Sequence, residues 1–162
     1  MEVSITERLS LRDKYFDAFA RIMIPVYQFF RKSKKPWEVT QAELADYPTG
    51  SLGKAVSDFL EENQLTLIPR AEFHDVYHVL FGFSTSMEDE TAIQFLGVGN
   101  GRYSIPWLAS CGLAFVFYPE RWGKFYRAFM QGRRAETFHH INWEKLLEVK
   151  VKDLRKDLQV VA

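Results

Sequence analysis

Two histidines and two acidic residues form the pattern in this chain that is best suited to chemistry. His74, Asp75 and His78 occur as His-Asp-x-x-His, and Glu90 follows after eleven further residues. A helix advances about 100° per residue, so the first three residues share one helical face and Glu90 must come from another element. Imidazole nitrogens and carboxylate oxygens are ligands of divalent metal ions. The pattern therefore predicts a metal site built by two elements.

The donor types leave the metal and its role open. Two imidazoles spaced by four residues suit zinc, and the carboxylates extend the choice to magnesium, manganese or iron. Four protein ligands could close a structural site, or one carboxylate could yield its position to water or substrate. The alternative is a solvated polar face without metal, in which Asp75 pairs with His78 and Glu90 favours the N-terminal end of its own helix.

Two other metalloenzyme patterns fit less well. A zincin protease requires His-Glu-x-x-His, with the glutamate as general base, whereas Asp75 has a shorter side chain and the third zinc-ligand pattern is missing. A di-iron bundle uses paired Glu-x-x-His motifs. Glu136 and His139 supply one copy, and Asp75 with His78 supplies only a shortened second copy.

Helix signals flank both parts of the metal pattern. Pro69 suits the first position of a helix and Gly82 suits the residue after its end, which predicts a helix that carries the histidines. Its inward face is predicted to carry Phe73, Val76, Tyr77 and Leu80. Thr85-Ser-Met-Glu88 is a capping box, so the next helix is predicted to run to about Val98 with Glu90 near its first turn. A short loop would then bring Glu90 to the histidines.

The remaining signals predict helices throughout the chain. Further helix starts are predicted at Ser10, Thr40, Ser51, Pro106, Pro119 and Asn142. The helix from Ser51 is predicted to reach about Glu62, and Gly132 is predicted to end the helix that Pro119 begins. Strand-like alternation, repeats and linkers are lacking. The sequence predicts an all-α fold, a single compact bundle of about six to eight helices over residues 1–162, with the metal-binding helix pair at its centre.

Composition and apolar patterning limit the partners. Basic and acidic residues both total 21, so the formal net charge is zero and nucleic acid is not an expected partner. The uncharged run from Ile105 to Tyr118 is shorter than the roughly 20 residues that span a bilayer. Its small residues could leave room for an isoprenoid tail or could serve close helix packing. Aromatic residues among basic ones could form a membrane-facing helix or a core face: Trp122, Phe125, Tyr126 and Phe129.

The metal pattern and its flanks resemble the fourth coenzyme Q biosynthesis protein family, the Coq-four family. All four positions of its pattern His-Asp-x-x-His-x(11)-Glu are matched, and Arg70 and Glu72 resemble its charged lead-in. The stretch YPTGSLGKAVSDFLEENQL resembles its glycine-containing turn and helix, and GRRAETFHHINWEKLLEVKVKDLRKDL resembles its C-terminal segment. The stretch VGNGRYSIPW departs from the family.

The resemblance implies an all-helical ubiquinone (coenzyme Q) biosynthesis protein, often a homodimer peripheral to membranes. It implies a divalent metal, with zinc as the first choice, bound by His74, Asp75, His78 and Glu90. It also implies a polyprenyl or other lipid-like ligand. The family is associated with removing the C1 carboxylate of a polyprenylated hydroxybenzoate-type precursor, coupled to hydroxylation, and with organising other quinone-biosynthesis proteins.

Two functions follow from this resemblance. The chain is either a metal-dependent oxidative decarboxylase, a lyase, or a non-catalytic lipid-binding or scaffold protein with a structural metal. In the lyase, Arg70 could contact the anionic head group or instead form a surface salt bridge with Glu72 or Glu62. The N-terminal sequence carries charges throughout and no apolar stretch, so secretion is not expected. The short chain without a targeting extension suggests a bacterial-type cytoplasmic protein, at most peripheral to the inner membrane.

Overall fold

A computed structural model describes residues 35–160 and three earlier positions, Ala18, Arg21 and Pro25. The helix predicted from Ser10 therefore lies largely outside the described residues. Within them, all regular structure is helical apart from one isolated β-bridge between Ser51 and Lys150. The prediction of an all-α bundle is confirmed, whereas the prediction that residues 1–162 form one domain stays a prediction.

Seven α-helices and two short 3₁₀ helices make up the described part of the chain. The α-helices are α1 (Gln41–Leu44), α2 (Leu52–Glu62), α3 (Glu72–Phe81), α4 (Met87–Gly99), α5 (Ile105–Phe117), α6 (Trp122–Arg134) and α7 (Val151–Asp157). The 3₁₀ helices are Pro119–Arg121 and Trp143–Leu146. Helix α1 starts after Thr40 as predicted, with a capping box in which the side chains of Thr40 and Glu43 each accept the backbone N–H of the other, and Ser51 caps α2 as predicted.

The core lies along α3 and α4. Helix α3 packs on α2, and α4 packs on α5 and α6. The predicted inward face of α3 is confirmed, because all four of its apolar residues are buried: Phe73, Val76, Tyr77 and Leu80. Arg155 of α7 donates from Nε and Nη2 to the carbonyl oxygens of Leu80 and Val79, at 2.9 and 2.8 Å. These bonds satisfy carbonyls that the end of α3 leaves without helical partners.

Helix α3 begins later than predicted. Its first residue is Glu72 rather than Pro69, because Arg70 has a φ of 69° and this left-handed conformation interrupts the helical path. The predicted end at Gly82 is confirmed, with a φ of 71°. The start of α3 is thus set by a backbone conformation that an arginine seldom adopts.

Helix α4 is capped one residue later than predicted. The hydroxyl of Ser86, rather than that of Thr85, accepts the N–H of Asp89 at 3.3 Å. Thr85 Oγ1 instead donates to Asn63 Oδ1 at 3.4 Å. The shift leaves Glu90 in the first turn of α4, as predicted.

Helices α4 and α6 touch through their backbones, and this corrects the predicted role of Gly132. The glycine does not end the helix, which continues to Arg134. Gly132 is buried against α4, where a Cβ would overlap the carbonyl oxygen of Leu96 and lie 3.1 Å from the nitrogen of Asn100. A Cβ on Gly99 would likewise overlap the carbonyl oxygen of Phe129. Glycine is needed at both positions for the two helices to approach this closely.

Candidate metal centre

The side chains of His74, His78 and Glu90 meet between α3 and α4. His74 Nε2 lies 2.8 Å from Glu90 Oε2, and His78 Nε2 lies 3.2 Å from Glu90 Oε1. The two Nε2 atoms are 3.1 Å apart. In the part of the chain that the structure describes, this trio is the group of metal-ligating side chains whose ligand atoms converge, all within 4.8 Å of one another. The structure thus brings together three residues of the four-residue pattern.

The spacing of the two imidazoles fits one divalent metal ion. Two nitrogens that are each about 2.0–2.1 Å from one ion lie about 2.9 Å apart at a right angle and about 3.4 Å apart at a tetrahedral angle. The observed 3.1 Å separation falls between these values. His78 Nδ1 lies 3.1 Å from the carbonyl oxygen of Phe83. An N–H donated there leaves the lone pair of Nε2 directed into the site.

The three candidate ligands differ in burial. The side chain of His78 is 2% exposed, and its ring stacks on Phe59 with centroids 4.8 Å apart. The side chains of His74 and Glu90 are 24% and 32% exposed. The site is therefore closed at His78 and accessible from the side of His74 and Glu90, where a ligand could approach.

His74 and Glu90 form an ion pair that shifts both of their pKa values. Burial alone would raise the pKa of Glu90, but the charge of His74 and hydrogen bonds from both imidazoles hold it well below its usual range. Burial alone would lower the pKa of His74, but the charge and the hydrogen bond of Glu90 raise it. The carboxylate is therefore ionised at any pH at which the protein would bind a metal.

Asp75 lies beside the converging trio but does not belong to it. Burial raises the pKa of its carboxyl group to about 6, although the charges of His74 and His78 oppose the rise. Its oxygens are not among the converging ligand atoms of the described residues. Direct coordination of a metal by Asp75 stays a prediction. As placed, its carboxyl group can gain or lose a proton near neutral pH at the edge of the site.

The other sequence candidates lie in different surroundings. Arg70 occupies the turn before α3, and its contact with a head group stays a prediction. Glu136 Oε1 accepts a hydrogen bond from Gln159 at 2.6 Å. His139 Nδ1 lies 2.8 Å from the carbonyl oxygen of Asn100. Neither joins the converging trio, so the di-iron alternative has no support in the described structure.

Arg102, in the loop between α4 and α5, is a charged residue near the site that the sequence does not predict. Its guanidinium carbon lies 4.3 Å from the ring centroid of Phe73 and 4.6 Å from that of Trp107. Its charge acts on His74, where it opposes the protonation that Glu90 favours. Only the fold brings this loop to α3, and no local motif marks the arginine.

Comparison with known protein families decides the affiliation of the chain. The sequence model of the family described as "Coenzyme Q (ubiquinone) biosynthesis protein Coq4" matches residues 67–162. The chain belongs to the Coq4 family. The matched region contains the whole metal pattern, from His74 to Glu90, so the resemblance stated from the sequence is confirmed.

Curated Coq4 proteins are similar to this chain over part of their length. The ubiquinone biosynthesis protein COQ4 of Clavispora lusitaniae is 28% identical over 109 residues, which cover 63% of this chain and 34% of that protein. The COQ4 homolog of Drosophila ananassae is 24% identical over 142 residues, covering 74% and 53%. The Yarrowia lipolytica protein is 23% identical over 141 residues, covering 73% and 54%. The chain spans about a third to a half of the length of these Coq4 relatives.

A solved structure shares the fold. It is a crystal structure from Nostoc punctiforme PCC 73102, described as that of a candidate ubiquinone biosynthesis protein. The superposition has a TM-score of 0.63 at 19% identity and covers 96% of this chain and 84% of that chain. At this level of identity the match shows a common fold and not a common activity.

The comparisons with curated relatives contradict the cytoplasmic location expected from the sequence. All three curated relatives are named as mitochondrial proteins. The expectation relied on the short chain, and a sequence that spans a third to a half of its relatives is no guide to their compartment. Within residues 35–160, no helix is long and apolar enough to cross a bilayer.

Proposed function

We propose that this Coq4-family chain acts in ubiquinone biosynthesis with one divalent metal ion, for which zinc is the first choice, held by His74, His78 and Glu90. The observation that supports this most directly is the convergence of three ligand atoms between α3 and α4. The proposed substrate is a polyprenylated hydroxybenzoate-type precursor. The proposed reaction removes its C1 carboxylate and places a hydroxyl group there.

The proposed reaction assigns distinct tasks to the residues of the site. When bound, the metal ion supplies a Lewis acid that polarises an oxygen atom of the carboxylate or phenolate. His78 is buried against Phe59 and holds the closed side of the site rigid. Asp75 directly follows the ligand His74, where its carboxyl group could act as a general acid or base. Replacing the carboxyl group by a hydroxyl group is a two-electron oxidation of the ring carbon. With molecular oxygen as the source of the new oxygen atom, a two-electron reductant is also required, and the products are the phenol, CO₂ and water.

Complementation of a ubiquinone-deficient strain that lacks its own Coq4 protein tests the catalytic proposal. We expect the unmodified chain to restore ubiquinone and Glu90→Gln to fail, because the variant keeps the shape of the side chain but loses its charge. Glu148→Gln is the matched control, since Glu148 is exposed and lies outside the site. Full rescue by a Glu90→Gln variant that no longer retains metal would refute a catalytic metal.

Metal affinity is expected to weaken as the pH falls below neutrality. The folded-state pKa of His74 is raised, so its proton competes with a metal ion at a higher pH than the proton of a free histidine would. We expect a loss of about tenfold in apparent zinc affinity per pH unit for each proton displaced. Competition with a chromophoric chelator from about pH 8 to about pH 5.5 measures this dependence.

Asp75→Asn provides the control for this pH dependence. The negative charge of Asp75 contributes to the raised pKa of His74, so its removal should shift the fall in affinity to lower pH. Zinc affinity that stays constant across the range would contradict ligation by His74. An unchanged profile in Asp75→Asn would contradict the electrostatic role of Asp75.

A lipid-binding or scaffold role is the second candidate, and the exposed apolar face of α5 favours it. Its most exposed large apolar side chains are Ile105, Phe115 and Val116, at 75%, 52% and 73%, and Tyr126 of α6 is 64% exposed. The small residues Ala109 and Gly112 also face outward, so they do not line an interior cleft. Phe125 belongs to the core. A helix face with this many exposed apolar side chains is better suited to contact with a lipid surface than to exposure to water.

Flotation with liposomes tests this second role. Val116→Asp places a charge on the apolar face, and we expect it to reduce the fraction of protein that floats. Leu65→Asp is the control, because Leu65 is 40% exposed and lies outside α5 and α6. Equal flotation of all three proteins would exclude this face as a lipid contact. The homodimer and the protein partners implied by the family stay predictions.

A further inference from the structure

The loop that carries Arg102 is anchored to α4. The backbone N–H of Arg102 donates to the carbonyl oxygen of Gly97 at 2.9 Å. Gly101 before it has a φ of 91°, a conformation that glycine adopts readily and that turns the chain back toward α4. Trp107 packs so tightly on Gly97 that a Cβ there would overlap the ring atom Cζ3. The backbone on which Arg102 stands is therefore fixed relative to the helix of Glu90.

Two buried aromatic rings position the guanidinium group. Its central carbon lies 4.3 Å from the centroid of Phe73 and 4.6 Å from that of Trp107, and these residues are 8% and 4% exposed. Both distances are within the range of a cation–π interaction. Phe73 directly precedes the ligand His74 on α3. The rings thus hold a permanent cation beside the first residue of the metal centre.

This cation acts on the accessible side of the metal centre. Phe73, whose ring centroid lies 4.3 Å from the guanidinium carbon, directly precedes His74 on α3, and at this position the positive charge of Arg102 opposes the protonation of His74. His74 is the imidazole on the open side, whereas His78 lies on the closed side. A ligand that reaches the metal centre from outside therefore enters the field of Arg102.

We propose that Arg102 binds the oxyanion of the ligand at the metal centre, either a carboxylate or a phosphate group. This inference rests on the proposed function, because it adds a recognition residue for the head group of the same ligand. A guanidinium group carries several N–H donors in one plane, and this arrangement matches two oxygen atoms of a carboxylate or phosphate group. Arg102 thus takes the role in head-group binding that the sequence predicts for Arg70.

Binding of acid and neutral ligand pairs to zinc-loaded protein tests the assignment. The first pair is 3-geranyl-4-hydroxybenzoate and its methyl ester, and the second is geranyl phosphate and geraniol. Titration calorimetry compares the unmodified chain with Arg102→Gln, Arg102→Lys, the competing candidate Arg70→Gln and the matched control Arg133→Gln, whose side chain is exposed and outside the site. Zinc content and the thermal unfolding midpoint are measured for every variant.

Arg102→Gln is expected to weaken binding of an acid by at least about tenfold and to change binding of its neutral partner by less than about twofold. Arg102→Lys keeps the positive charge but loses the planar set of donors, so its loss of affinity for an acid should be intermediate. This variant replaces Arg102→Gln in the test if the glutamine variant does not fold. If Arg102→Gln weakens binding of geranyl phosphate but not of geraniol, and leaves binding of the benzoate pair unchanged, the result would support the anion site and identify phosphate as its anion.

Three outcomes would overturn the assignment. Equal weakening of acid and neutral ligands would show that Arg102 only holds the loop, and unchanged binding would show no role. Selective loss in Arg70→Gln but not in Arg102→Gln would transfer the role to Arg70. If the unmodified chain retains no zinc but the selective loss in Arg102→Gln persists, the proposed metal function fails while the anion site stands.

Discussion

His78→Ala is expected to reduce bound zinc from about one ion per chain to background. The substitution removes one of three converging ligands and also the buried ring that stacks on Phe59. Loss of a hydrogen-bonded partner outside the ligand shell already costs about 10–100-fold in metal affinity, so loss of a ligand should cost more than about 100-fold. Metal analysis of protein dialysed after zinc loading measures the change.

Two controls separate loss of the site from loss of the fold. His139→Ala removes a histidine that bonds to Asn100 away from the site, and it should leave the zinc content unchanged. Glu90→Gln removes a half-exposed ligand, so it should lose zinc with little disturbance of the core. Asp75→Asn decides whether Asp75 is a ligand, because the geometry leads us to expect that zinc is retained. Full zinc occupancy in His78→Ala would contradict the proposed centre.

The helices that build the metal centre could be predicted because their signals are local. Ser51 caps α2 and Gly82 ends α3 as expected, since each acts on the backbone of its own turn. The start of α3 was wrong by three residues, because the left-handed conformation of Arg70 outweighs the preference of Pro69 for a first turn. Glycine commonly ends helices, and for this reason the sequence predicts a helix end at Gly132, but the role of this residue depends on its contact with α4, which is distant in sequence.

The candidate metal centre shows the same difference between local signals, which could be predicted, and contacts distant in sequence, which could not. His74 and His78 are one helical turn apart, and Glu90 follows a capped start, so their meeting could be predicted from periodicity and loop length. Asp75 lies about 100° from His74 around the helix, and its short side chain does not bring its oxygens into the converging group. The position of Arg102 depends on the turn at Gly101 and on the packing of Trp107, which are long-range features.

The second large effect is expected from Gly132→Ala, which should destabilise the fold by about 3 kcal/mol. The new methyl group would overlap the carbonyl oxygen of Leu96, and backbone atoms of a helix cannot rotate away as a side chain can. Helices α4 and α6 must separate to admit it. Separation would strain the bond from Asn100 Nδ2 to the carbonyl oxygen of Gly132, which is 2.9 Å long. Urea unfolding followed by circular dichroism measures the loss.

Gly112→Ala is the matched control, and it should change stability in the opposite direction. Gly112 lies in α5 with nothing within 4 Å of a built Cβ, so alanine meets no atom there and restricts the unfolded chain. We expect a gain of about 0.5–1 kcal/mol. Equal destabilisation by both substitutions would show that replacing a helical glycine by alanine lowers the free energy of unfolding wherever it is made. The cost in Gly132→Ala could then not be assigned to the α4–α6 contact.

Metal binding should distinguish Gly132→Ala from the ligand variants. Glu90 lies at the far end of α4 from the contact with Gly132, and that end is tied to α6 by a 2.7 Å ion pair between Asp89 and Lys124. The molecules of Gly132→Ala that remain folded should therefore keep their zinc. Bound zinc should in turn raise the unfolding midpoint of this variant, because a ligand of the folded state alone shifts the equilibrium toward it. A variant that stays folded but loses its zinc would mean instead that the α4–α6 contact sets the geometry of the metal centre.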